Sequence, residues 1–398
     1  MKKASLPLPS GFFASGVSAG LKKNGKPDMA LLYSKFPCAA AGLVTKNAVK
    51  GAPSRLTEEA LKKGSPLRAV VVNTKYSNSL TGRRGRADTL AVAAKTAKLL
   101  RVSPKGVLSQ STGVIGVPMP MPKILRGAGK AVKALSRDGG LAAAKAILTT
   151  DLAVKASSCA LVLDHKVVRV TGLAKGSGMI HPNMGTMLVY LMTDLKCPRP
   201  VLNRALREAV EPSFHSITVD GDTSTNDSVL LLANGAARNR PIRYGTPAYH
   251  RFVRVLKEVC LDLARAIVWD GEGATKFVTV RVRGARSDRD ARLASMAVAK
   301  SSLVKTALFG ADPNWGRILA AVGYSGAKVD EFRVRVSAGG YLLYDGGPAD
   351  WSRSKLKRIF SQRTVDIDID LRLGPGSSTV YTCDLSHGYV DINGMYTT

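Results

Sequence analysis

The sequence predicts a mixed α/β fold whose C-terminal part forms a smaller α/β unit. Two observations carry the prediction. Short β-branched runs alternate with alanine-rich stretches of helical spacing along the chain. Strand-like runs then return beyond residue 330, after a last strong helical pattern.

In chain order, Arg68 to Asn73 (RAVVVN) is apolar on both faces and reads as a buried strand. Leu90 to Leu100 (LAVAAKTAKLL) has helical spacing, with Asp88 as its expected cap. A strand is expected over Gly106 to Ser109. The helical spacing of Ala128 to Leu148 is interrupted at Gly139-Gly140, so two helices are expected. Ala160 to Thr171 alternates around Asp164-His165-Lys166 and reads as a hairpin. Phe277 to Arg283 alternates as a strand, and Ala291 to Leu303 follows as a helix. Phe332 to Tyr344 and Val365 to Leu373 are strand-like. The division expected is a core over residues 1–280 and a smaller domain over 281–398.

Composition narrows the function classes. The chain has 398 residues, enough for a substantial core, with 45% hydrophobic and 22% charged residues. No apolar run approaches the roughly 20 residues that span a bilayer. The opening MKKASLPLPSGFFASG lacks the apolar stretch of a secretory signal. A cytoplasmic protein is expected, or a mitochondrial or plastid one if a targeting segment is missing. The five cysteines are scattered and never in CxxC spacing, which argues against a disulfide framework. The five histidines show no paired spacing, so no metal is expected. A net charge of +30 admits a nucleic-acid binder. The basic residues are nevertheless spread along the chain without interleaved aromatics or a recognisable DNA- or RNA-binding spacing. A solvated basic surface that attracts small anions is the preferred reading.

The chemically informative segment is Ala174 to Asp194, AKGSGMIHPNMGTMLVYLMTD. A glycine-rich polar run stops at Gly185-Thr186, and a continuous apolar element follows. A hydroxyl residue after glycine, at the mouth of a buried element, can have its Oγ aimed by backbone strain at the preceding carbonyl. Attack there and hydrolysis of the ester would free an α-amine, with a reference pKa near 8. That amine can serve the same hydroxyl as general base.

KGSGMIHPNMGTML resembles the self-cleavage motif of the ornithine acetyltransferase (ArgJ) family, usually KGSGMIAPNMATML. Further matches follow in the family's order: Ser111-Thr-Gly-Val-Ile-Gly116, Ser213 to Ser228 (SFHSITVDGDTSTNDS), Asp270 to Lys276 (DGEGATK), Lys305 to Ile318 (KTALFGADPNWGRI) and the ending CDLSHGYVDINGMYTT. The resemblance covers essentially the whole chain. It implies an α/β sandwich of the DmpA/ArgJ type, layered like N-terminal-nucleophile hydrolases, with a smaller C-terminal α/β domain.

It also implies roles. Thr186 would be the nucleophile, and cleavage at Gly185-Thr186 would give an α chain of 1–185 and a β chain of 186–398. Thr112 and Gly113 match an oxyanion hole. Lys175, Glu272, Asn393 and Thr398 match substrate contacts, as does one of Thr149 and Thr150. The implied activity is transfer of acetyl from N-acetylornithine to glutamate by a ping-pong route, within arginine biosynthesis. No cofactor is implied, although acetyl-CoA is an additional donor if the enzyme is bifunctional. The two chains would stay together as (αβ)2. The alternatives are an amidase or aminopeptidase of the same fold that uses water as acceptor, and a basic nucleic-acid-binding protein.

Two departures from the family pattern stand out. Asn73 to Gly82 (NTKYSNSLTG) replaces the usual NSGNANxxTG and is expected to lie beyond the chemistry. His181 stands where alanine is usual, and a packing or solvent-facing role is expected for it.

Overall fold

The computed structural model describes residues 6–181, 187–350 and 352–395. The larger part contains β1 (Phe12–Val17), β2 (Met29–Val44), α1 (Ala52–Lys63), β3 (Leu67–Asn73), α2 (Gly82–Leu100), β4 (Val107–Ser111), α3 (Met121–Lys133) and α4 (Gly140–Ala146). It continues with β5 (Lys155–Leu163), β6 (Lys166–Lys175), β7 (Leu188–Thr193), α5 (Arg199–Val210), β8 (Ser228–Ala233) and α6 (Pro247–Trp269).

The strands run in the order β4-β3-β2-β8-β7-β6-β5, with β1 also on β2. The sixteen-residue β2 is the pivot. Its first half pairs with β1 and β3, a register shift falls between Tyr33 and Cys38, and its second half pairs with β8. Two leaves therefore pack face to face. Their inner faces meet through Leu32, Val70 and Val72 on one side and Leu173, Tyr190 and Leu230 on the other. Side chains one position along each strand point outward, because strand side chains alternate. Leu31, Ala69 and Val71 thus meet Val92 and Ala97 of α2 and Ile124 and Ala128 of α3. Val189, Leu191, Val229 and Leu231 meet Leu206 of α5 and Leu256 and Val259 of α6. The result is a helix–sheet–sheet–helix sandwich.

The chain then forms β9 (Phe277–Ala285), α7 (Asp288–Lys300), α8 (Ser302–Phe309), α9 (Trp315–Gly323), β10 (Arg335–Ala338), β11 (Tyr341–Asp345), α10 (Arg353–Phe360), β12 (Thr364–Asp370), β13 (Gly376–Cys383) and α11 (His387–Gly394). Its five strands lie in the order β11-β10-β12-β9-β13 and share a separate core with α7 and α9. At the end of β13 the chain returns to the larger part, where Cys383 joins the α5–α6 core.

Several elements are longer than their apolar patterns. The second helix starts at Gly82, and Asp88 lies inside it as an ion-pair partner of Arg84 at 3.6 Å, so Asp88 is not the cap. The polar run Arg83-Arg84-Gly85-Arg86 hides that first turn, which packs because Gly85 has no side chain to strike Thr81. The 128–148 region forms two helices as expected, but the first runs from Met121 to Lys133, well short of Gly139, and Gly140 starts the second. The hairpin turns through Asp164 and His165, both at positive φ, and its strands extend beyond the alternating core. The helix expected over 291–303 runs from Asp288 to Lys300, and Ser301 starts another by accepting from the Val304 amide. Phe332 to Tyr344 resolves into two short strands. Among the described residues, no helix is long and apolar enough to cross a membrane, and no group of His, Cys, Asp and Glu is placed to hold a metal ion.

Candidate active site

The parallel pair β3–β4 ends at Asn73 and Ser111. The chain leaving β4 is held by two amides: Thr112 N donates to Asn73 O (3.1 Å), and Val114 N donates to Lys75 O (3.0 Å). Between them Gly113 has φ 131°, and a Cβ there would lie 2.3 Å from the Lys75 carbonyl carbon, so only glycine fits. The Thr112 hydroxyl and the Gly113 N–H donate to no group among the described residues, and both residues line a cavity of about 140 Å³. Two uncommitted donors at the wall of a cavity are what an oxyanion requires.

The same cavity is lined by Thr149, Thr150, Lys175, Glu272 and Asn393. Lys175 closes β6 and is 3% exposed; burial lowers its pKa, while nearby Asp151 opposes that shift. Glu272 sits on the turn after α6, where its amide donates to Ser177 O (2.9 Å). Its carboxylate lies against the backbone of Gly178, where a Cβ would come within 2.1 Å of Oε2. The helix α11 carries Asn393 to this point, and Asn393 Nδ2 donates to Glu272 Oε2 (2.9 Å). Tyr389, one turn earlier, donates its hydroxyl to Asp220 Oδ2 (3.2 Å). Asp220 also accepts from the Met179 and Ile180 amides at 2.5 and 2.9 Å, so the loop after β6 and the C-terminal helix share one anchor.

Beneath the cavity is a buried ion cluster. Lys155 Nζ donates to Asp151 Oδ1 (2.7 Å) and to Asp270 Oδ2 (2.5 Å), with all three side chains at least 90% buried. Burial alone would raise the Asp151 pKa, but Lys175 and Lys155 hold it below the usual carboxylate range. Asp151 also accepts from the amides of Thr149 (3.0 Å) and Gly176 (2.7 Å). Asp270 accepts from Leu152 and Ala153 at 3.0 and 3.1 Å. The cluster therefore ties the Thr149-Thr150 segment, the end of β6 and the Glu272 turn together. Thr150 Oγ1 shares a 2.8 Å hydrogen bond with Ser177 Oγ, and Thr149 Oγ1 faces Asp151 Oδ2 at 3.4 Å.

Gly185, Thr186 and Thr398 lie outside the described residues. The next residue, Met187, is described, and its amide donates to Asp227 Oδ1 (2.9 Å). Leu188 then pairs with Ser228 of β8 and with Lys175 of β6. Asp227 is fully buried, and burial raises its pKa well above the usual carboxylate value. Its Oδ2 has no hydrogen-bond partner among the described residues.

Asp227, Asp151, Lys155 and Asp270 were not singled out from the sequence, although Asp227 and Asp270 sit inside recognised motifs; their spacing alone carries no signal. The loop from Asn73 to Gly82 is also closer to the site than expected. Ser77 lines the cavity, the Lys75 carbonyl backs Gly113, and Asn226 bridges the Ser77 and Ser111 carbonyls. His181 lines a different cavity and contacts Thr218 Oγ1 at 3.3 Å.

Comparison with known proteins places the chain in a family. The sequence profile of the ArgJ family matches residues 13–398. The "Arginine biosynthesis bifunctional protein ArgJ" of Symbiobacterium thermophilum is 47% identical, over 98% of this chain and 98% of its own. The protein of the same name from Caldanaerobacter subterraneus is 44% identical, over 99% of this chain and 98% of its own. A crystal structure of the ArgJ protein from Bacillus halodurans superposes with a TM-score of 0.51 at 38% identity, covering 52% of this chain and 98% of that one. A profile match from residue 13 to the last residue, with relatives above 40% identity end to end, means that the chain belongs to the ArgJ family.

Proposed function

We propose that the protein is a self-processed glutamate N-acetyltransferase that moves acetyl from N2-acetyl-L-ornithine to L-glutamate through an acetyl-Thr186 intermediate. The observation that carries the proposal is the single cavity shared by Thr112, Gly113, Thr149, Thr150, Lys175, Glu272 and Asn393, together with the anchoring by Asp227 of Met187, the residue after Thr186.

Cleavage of Gly185-Thr186 leaves Thr186 with a free α-amine. That amine takes the hydroxyl proton as Oγ attacks the acetyl carbonyl. The carbonyl oxygen becomes an oxyanion facing the Thr112 hydroxyl and the Gly113 N–H. As the intermediate collapses, the proton passes to the departing nitrogen and ornithine leaves. The amine of glutamate then attacks the acetyl ester, and the same steps in reverse return Thr186. Glu272 suits the cationic end of ornithine, and Lys175 suits an amino-acid carboxylate. The proposal includes acetyl-CoA as a second acetyl donor, in keeping with the word "bifunctional" in the relatives' names. It also includes assembly as (αβ)2 in the cytoplasm.

The test is to incubate purified protein with acetylornithine, with and without glutamate, and to quantify N-acetylglutamate and acetate. Acetylglutamate formation that far exceeds acetate release supports the proposal. Release of acetate irrespective of glutamate would make the protein a hydrolase instead.

A further inference from the structure

The loop that follows β6 has two sides. Gly178 and Met179 line the cavity described above, while His181 lines a second cavity of about 460 Å³ against α7. The wall opposite His181 is built from Arg289, Arg292, Met296 and Lys300, which recur at helical spacing and so share one face of α7. Among the described residues, no Asp or Glu lines this cavity. Arg292 is partly neutralised by Glu211, 3.2 Å away. Arg289 and Lys300 have no carboxylate partner within ion-pair distance among the described residues. The remaining wall combines Leu293 and Met296 on α7 and Tyr324, 66% exposed, after α9, with the hydroxyl residues Ser301 and Ser325.

We propose that this cavity is a binding site for an organic phosphate, whose anionic head is held by Arg289, Arg292 and Lys300 and whose body lies over Met296, Leu293 and Tyr324. A single carboxylate would leave most of this positive charge unmatched, whereas a phosphate monoester carries close to two negative charges and three acceptor oxygens. Planar guanidinium groups bind such oxygens in pairs. The absence of acidic side chains from the lining leaves the positive potential intact, and a concave site focuses it. The site also gives one local use for a chain whose net charge is +30. Its depressed imidazole is consistent: burial, then Lys300 and Arg292, lower His181 to about 4.

Two sources share this chemistry: a free nucleotide-like effector, and the phosphate end of a large acyl donor whose acyl group reaches the neighbouring cavity across the 176–181 loop. Only the second source rests on the acetyl-transfer reading; binding itself is measured without turnover. The probes are 3′,5′-adenosine bisphosphate and inorganic pyrophosphate, titrated calorimetrically into the processed protein. Both should bind saturably, the nucleotide more tightly, and binding should weaken with salt. Arg289→Gln combined with Lys300→Gln should weaken nucleotide binding at least tenfold, with an unchanged circular dichroism spectrum and unchanged acetylornithine kinetics. The His181 imidazole, followed by NMR, should titrate at higher pH when the nucleotide is bound, because the anion offsets Lys300 and Arg292.

Kinetics with acetyl-CoA separate the sources. A KM raised only for that donor in the double variant identifies the acyl donor, and binding without use of acetyl-CoA identifies an effector. No saturable binding at millimolar probe, or binding that the double variant leaves intact, overturns the site. Equal affinity for pyrophosphate and nucleotide overturns the part assigned to the apolar wall.

Discussion

Asn393 donates its side-chain amide to Glu272 at 2.9 Å, joining two residues 121 positions apart. The helix that ends the described chain is thereby part of the cavity wall. Asn393 both orients the carboxylate and lines the space where substrate would sit.

Replacing Asn393 with alanine should therefore affect recognition more than chemistry. A hydrogen bond to a charged group contributes about 1.5–3 kcal/mol. Because Asn393 is exposed, the loss should lie near the lower end, about tenfold in kcat/KM for acetylornithine, mostly in KM. Self-cleavage should be unaffected. Steady-state kinetics on the fully processed variant check this, and unchanged kinetics would remove Asn393 from substrate binding.

Thr112 offers the opposite signature. Its hydroxyl has no hydrogen-bond partner among the described residues, and in the proposed mechanism it acts only when the oxyanion forms. Thr112→Ala should lower kcat by about a hundredfold or more. KM for acetylornithine should change little, because the donor is not used in the ground state. A variant with normal kcat would show that Thr112 is a loop residue only.

Lys155 tests the scaffold. Replacing it with methionine leaves Asp151 and Asp270 buried without the cation that now joins them. Removing one partner from such a cluster costs about 3–5 kcal/mol. Denaturant unfolding should show a loss of that order. The Thr149-Thr150 segment, held through Asp151, should loosen with it. A stability change below about 1 kcal/mol would mean that the cluster contributes nothing beyond packing.

His181 gives a pH dependence with a definite sign. Its folded value is lowered to about 4, from an ordinary 6.5. Between those values the unfolded chain binds the proton and the folded chain does not, so this group makes stability rise with pH across that window. The penalty is complete below about 4. The wild-type melting temperature should therefore fall more steeply from pH 6.5 to pH 4 than that of His181→Ala. Parallel curves for the two proteins would contradict the assignment.

The α/β alternation and the strands at Arg68 to Asn73 and Phe277 to Arg283 are legible in the sequence because a buried strand needs an apolar run and little else. The sandwich is not legible from periodicity, since it depends on β2 leaving one leaf and entering the other after the irregularity between Tyr33 and Cys38. Resemblance supplied that layering and the lining residues Thr112, Gly113, Lys175, Glu272 and Asn393. What it did not supply is the support beneath them. Lys155 reaches Asp270 across 115 positions, and Asp227 reaches Met187 across 40, pairings fixed by tertiary packing and not by local pattern. Asp88 was misread because a cap and an ion-pair partner inside the helix use the same residue type.

The central claim is that Thr186 carries the acetyl group, and intact-mass spectrometry of the two chains tests it most directly. The purified protein should separate under denaturing conditions into fragments 1–185 and 186–398, while Thr186→Ala remains a single chain. Incubation with acetylornithine alone should add one acetyl group to the 186–398 fragment, and glutamate should remove it as N-acetylglutamate. An acetyl group found on the other fragment, or transfer to glutamate by an uncleaved Thr186→Ala chain, would contradict the account.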